Sequence, residues 1–89
     1  MCRNIKTLFN FEPPASDDEI HAAALQFVRK VTGSVKPSKK NEQVFEAAVD
    51  QVSETVRELL DSMHTQAPAK NRETEAAKVR ARNLQRFAQ

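Results

Sequence analysis

Eighty-nine residues with one glycine, no tryptophan, no tyrosine and 29% charged side chains make a small chain; folded as one domain, it would bury only about 60–65% of the surface its unfolded form exposes. A single cysteine excludes an intramolecular disulfide, and a single glycine excludes a glycine-rich phosphate loop. The net charge of +2 is too small to demand a polyanionic partner, and no apolar run approaches the ~20 residues of a membrane span, so a cytoplasmic protein is expected.

The one cysteine, Cys2, stands directly behind Met1. Removal of Met1 would leave a thiol beside a free α-amine, groups that titrate near ~8.5 and ~7.7–8.0, and the amine can then act as base for the sulfur. Arg3 or Asn4 would supply an oxyanion partner, which makes Cys2, Arg3 and Asn4 the candidate catalytic set. The plainer reading is a small residue at the terminus or under the first helix, because a reactive cysteine needs an identifiable electropositive setting. Ile5, Leu8 and Phe9 follow the i, i+3, i+4 spacing of one helical face and predict a short helix over 4–10, ended by Pro13 and Pro14.

Ser16 followed by Glu19 is the signature of a capping box, and Asp17 and Asp18 suit the positive end of a helix dipole. From there Ile20, Ala23, Ala24, Phe27, Val28 and Val31 repeat on one arc, and Gly33 falls where a left-handed cap would stop the helix, giving 17–32. Pro37 biases Lys36 toward an extended link. The longest pattern follows, 41–63, with Val44, Phe45, Ala48, Val49, Val52, Val56, Leu59, Leu60 and Met63 on an arc of about 160°. Glu46, Asp50, Glu54, Glu58 and Asp61 make its outward face acidic, relieved by Arg57.

The pattern breaks around Pro68, and a last helix is expected over 71–87. From Lys70 onward six bases meet two acids, a net +4 that leaves −2 for the rest of the chain. Ala76, Ala77, Ala81, Leu84, Phe87 and Ala88 form a weak apolar stripe with Arg80 inside it, while Lys78, Arg82 and Arg86 project at i, i+4, i+8. Lys78, Arg80, Arg82 and Arg86 are therefore the candidate binding residues. Such a stripe can lie along phosphates, although only Phe87 is near enough to stack on a base. The blander reading has these bases solvated, offsetting the helix dipole, or paired with the acidic helix, with Arg80 snorkelling or meeting one of its carboxylates. A loosely packed last helix would instead offer its alanine-rich face to another protein or to a second copy.

His21 and His64 lack ligand spacing and a Ser or Asp partner, so neither a metal, a triad nor a cofactor is expected.

Met1-Cys2-Arg3-Asn4-Ile5, Leu8 to Ala15 and the block Ala22 to Gly33 resemble a family of small, mostly bacterial proteins classed as a domain of unknown function, over nearly the whole chain. The resemblance identifies relatives and implies no activity. A looser likeness, through Leu8 to Phe11, Pro14 to Ile20, and Lys39-Lys40-Asn41 with Phe45, Val49, Val52 and Leu59-Leu60-Asp61, resembles the second and third helices of J-domains, co-chaperones of Hsp70. It implies a helical hairpin. Where J-domains carry His-Pro-Asp, this chain has Lys36-Pro37-Ser38, set several residues late, so the element that engages Hsp70 is missing.

The sequence thus predicts a single all-α domain over 1–89: a short N-terminal helix, an antiparallel two-helix hairpin and a partly docked basic C-terminal helix. Its expected role is a non-catalytic interaction or structural module, with thiol chemistry through Cys2 and nucleic-acid binding through the last helix as alternatives, and with no membrane partner.

Overall fold

The computed structural model describes residues 5–87, with side chains through Gln85. In chain order it contains β1 (Phe11–Glu12), α1 (Asp17–Thr32), α2 (Glu42–Ser62), β2 (Lys70–Asn71) and α3 (Arg72–Phe87). The fold is mostly helical, consistent with the all-α expectation, to which it adds a small sheet: β1 and β2 pair in parallel, Phe11 opposite Lys70 and Glu12 opposite Asn71.

Of the helix expected over 4–10, residues 5–10 form none. So short a segment does not sustain a helix alone, and here its polar groups have partners far along the chain. Asn10 adopts a left-handed φ of 65°, its carbonyl accepts from the Lys70 N–H at 2.8 Å, and its Nδ2 donates to the Pro68 carbonyl at 3.1 Å. Asparagine is among the few residues that tolerate this conformation.

The ends of α1 follow from local chemistry. Ser16 Oγ accepts from the Glu19 N–H at 3.2 Å, and Glu19 Oε1 accepts from the Ser16 N–H at 3.1 Å, a closed capping box. At the other end Gly33 takes φ 69° and donates its N–H to the Arg29 carbonyl. α2 starts after Asn41 and runs until Met63 turns extended. Asn71 Oδ1 accepts from the Thr74 N–H at 3.0 Å and so caps α3 directly out of β2.

The core is small and lies between α1 and α2: Ala24 and Val28 pack with Phe45 and Val49, and Leu25, Ala48 and Val52 close around them. Among the described residues Ala15 and Ile20 are the other buried apolar side chains. Asp17, at the start of α1, is paired with Arg57, near the end of α2, whereas Val28 and Thr32 near the end of α1 share a cleft with Val44 and Phe45 at the start of α2.

The molecule is flat, 45 × 38 × 16 Å, with a Cα radius of gyration of 16.0 Å, against about 12 Å for a compact chain of this length. The cause is α3. Over 73–85 every side chain is exposed except Glu75, which is half-buried, so among the described residues the helix is anchored mainly through its first turn. Among the described residues no helix is long and apolar enough to cross a membrane.

Candidate functional site

Two arginines gather the chain around the start of α1. Arg72, the first residue of α3, donates from Nη1 and Nη2 to the two carboxylate oxygens of Glu19 at 2.8 and 2.9 Å, and from Nε to the Pro13 carbonyl at 2.9 Å. This is the bidentate fork that guanidinium and carboxylate favour. Arg57 of α2 donates to Asp17 at 2.7 Å and to the Ala15 carbonyl at 3.1 Å. Segment 13–17 is therefore clamped from both sides, and Glu19 performs two tasks at once, capping α1 and anchoring α3.

The electrostatics follow from that geometry. Arg72 donating to the carboxylate, and then the Ser16 N–H, lower the pKa of Glu19 from 4.5 to about 2. The guanidinium of Arg72 is shifted upward by the same bonds, and that of Arg57 by its bond to Asp17.

Beside the clamp lies an open groove of about 410 Å³, lined by Lys6, Phe11 and Lys70 on one side and by Arg72, Val79 and Arg82 on the other. Lys70 Nζ and the Arg72 guanidinium each stand 5.4 Å from the centroid of the Phe11 ring, within cation–π range. Lys6, Lys70 and Arg82 form no ion pair among the described residues, so cations around a ring face dominate the groove. A second cavity, about 580 Å³, opens between α1 and α2 and is lined by His21, Leu25 and Arg29 with Glu42, Glu46 and Asp50.

The residues singled out from sequence separate into two groups. Cys2, Arg3 and Asn4 lie outside the described residues. Lys78, Arg80 and Arg82 are exposed on α3; Lys78 reaches Glu75 of its own helix at 3.5 Å, and Arg82 also lines the groove. Arg86 belongs to α3, and its side chain is outside the described set. For Lys78, Arg80 and Arg82 the expected pairing with the acidic helix is corrected: among the described residues no ion pair joins α3 to α2, and Arg80 meets no carboxylate. His21 and His64 are exposed. Among the described residues no group of three His, Cys, Asp or Glu side chains is placed to hold a metal ion.

Sequence reasoning missed the pair Glu19–Arg72 and the Arg57 clamp. Glu19 was legible as a cap, but nothing in the spacing tells a helix-capping carboxylate that an arginine 53 positions later will share it.

The chain belongs to a family described as uncharacterized conserved protein (DUF2277), whose model matches residues 1–78. No curated protein and no solved structure matches it. The matched region includes the capping box, both arginines of the clamp and the first turns of α3, and ends at Lys78.

Proposed function

We propose that this member of the family is a non-catalytic protein-interaction module: a single helical domain whose antiparallel α1–α2 hairpin is the platform and whose α3 is the arm that meets another protein. One observation carries the reading. α3 is anchored by Asn71 and Arg72 and then presents Lys78, Arg80, Arg82 and Leu84 to solvent, with Leu84 72% exposed. A helix of 16 residues whose described apolar side chains are exposed is marginal in water and is stabilised by whatever covers it. These exposed bases suit a partner with an acidic surface, in the cytoplasm where a lone cysteine stays reduced. Support for the hairpin comes from the pairing of Asp17 with Arg57 at one end and the shared cleft of Val28 and Phe45 at the other. Its loop carries Lys36-Pro37-Ser38, so the J-domain likeness is kept as a comparison of fold and no Hsp70 contact is placed there.

Photo-crosslinking in cells, from a probe at Ala81 or Leu84 with Glu54 as the control position, tests this function. Discrete protein adducts from the α3 positions that disappear in Lys78→Glu/Arg82→Glu are the expected result. No adduct, or adducts insensitive to the charge reversal, would overturn it.

Nucleic-acid binding is the second reading, favoured by the exposure of Arg80 and Arg82, which form no ion pair among the described residues. It requires a mobility shift with DNA or RNA at low salt that weakens steeply as salt rises. Thiol chemistry through Cys2 with Arg3 and Asn4 rests on residues outside the described chain, and labelling rates across pH test it, a rate no faster than that of a free cysteine peptide ending it.

A further inference from the structure

We propose that the uncharged side of the α1–α2 hairpin is a homodimer interface, on which two copies close into a four-helix bundle. At 100° per residue the positions of α2 on one arc, Val44, Ala48, Gln51, Val52, Thr55 and Leu59, carry no charge, whereas the adjoining arc holds Glu46, Asp50, Glu54, Glu58 and Asp61. Ala23, Phe27 and Val31 occupy the matching flank of α1. In an antiparallel pair these flanks share one side. The opposite side is where His21 and Arg29 face Glu42 and Asp50 across the 580 Å³ cavity. The hairpin thus has one charged side and one apolar side.

That apolar side is uncovered. Val44 is 68% exposed, Val31 65%, Leu59 55% and Phe27 48%. Ala48 and Val52 beneath them pack on the core, so the patch is continuous with it. The area points the same way. The chain exposes 7421 Å², about 2,200 Å² more than a compact monomer of its mass, and a stable interface needs about 800 Å² from each partner. The uncovered α3 accounts for part of that excess, so the figure is an upper bound on what the hairpin side contributes.

A second copy is the occupant that the surface fits. The patch has no carboxylate or base at its centre, so against itself it buries no unpaired charge, and a two-fold axis brings the same residues together from both copies. The rims fix the arrangement. Lys30 borders the patch on α1, and Glu54 and Glu58 border it on α2. Setting α1 of one copy beside α2 of the other therefore opposes unlike charges, while α2 beside α2 would face two acidic rims. Helices of 16 and 21 residues are long enough for this bundle geometry.

Sedimentation equilibrium of the full chain from about 1 µM to about 1 mM is the test. The expected result is a dimer of the 10.0 kDa chain, with a dissociation constant raised by at least about 100-fold in Val44→Glu. Val44 is largely exposed, so the variant should keep its helical circular dichroism. Leu59→Lys is the second variant, and intermolecular NOEs between the Phe27 ring and the Val44 or Leu59 methyls report the contact in the unmodified chain. Lys78→Glu/Arg82→Glu, which tests the α3 function, should leave the dimer intact. A monomer at every concentration would overturn the proposal and leave the patch to a different protein. A dimer indifferent to Val44→Glu and Leu59→Lys, or one abolished by the α3 reversal, would overturn it as well.

Discussion

Replacing Glu19 by glutamine removes a charge while keeping an oxygen able to accept the Ser16 N–H, so it isolates the ionic part of the clamp from the cap. The native carboxyl is held at about 2 rather than 4.5, chiefly by Arg72. A displacement of that size corresponds to roughly 3 kcal/mol when fully expressed. Here the Glu19 and Arg72 side chains are 24% and 32% exposed, so water screens the pair, and about 1–2 kcal/mol is the expected share. Because the folded-state pKa is depressed, this stability is present above pH 4.5 and is lost as the pH falls toward 2. Urea unfolding followed by far-UV circular dichroism, for the native chain and Glu19→Gln between pH 7 and pH 2, measures it. The native chain should be the more stable by about 1–2 kcal/mol at pH 7, and the difference should shrink across the window from pH 5 to 2. The difference between the two proteins carries the result, since other carboxylates titrate in both. A gap that is absent at pH 7, or that stays constant down to pH 2, would refute the assigned role of Arg72.

Ser16→Ala removes the acceptor for the Glu19 N–H and should cost about 1 kcal/mol in the same urea assay. At Gly33 an added Cβ would meet nothing within 4 Å, so Gly33→Ala should cost only the backbone strain at φ 69°, about 1 kcal/mol, with Gly33→Asn costing less. Phe45→Ala empties the centre of a core with few other large side chains and should cost about 3–5 kcal/mol, enough to abolish the cooperative transition in a chain this small. Gln85→Ala, far along an uncovered helix, should shift the midpoint of that transition by less than about 0.5 kcal/mol equivalent.

What the sequence disclosed was the short-range part of the structure. The Ser16–Glu19 box, the left-handed Gly33 and the apolar arcs of α1 and α2 are each determined within one or two turns, and the helices stand close to where those signals place them. The first helix failed for the opposite reason. Ile5, Leu8 and Phe9 have helical spacing, but Asn10 finds its partners at Pro68 and Lys70, and no local pattern announces a parallel pairing across 59 residues. The clamp was hidden in the same way. Arg72 read as one base among six, and Arg57 as an exception on an acidic face, until the fold brought Glu19 and Asp17 to them. The separation of α3 from α2 was equally inaccessible, because charge complementarity suggests a contact that the direction of the chain after Asn71 does not allow.

The central claim is that a compact α1–α2 core carries an arm anchored at its base, and native-state amide hydrogen exchange tests it most directly. The account predicts that Ala24, Val28, Phe45 and Val49 exchange only through global unfolding, while amides from Val79 to Gln85 exchange at least about 100-fold faster. Equal protection along α3 and the core in the isolated chain would contradict it.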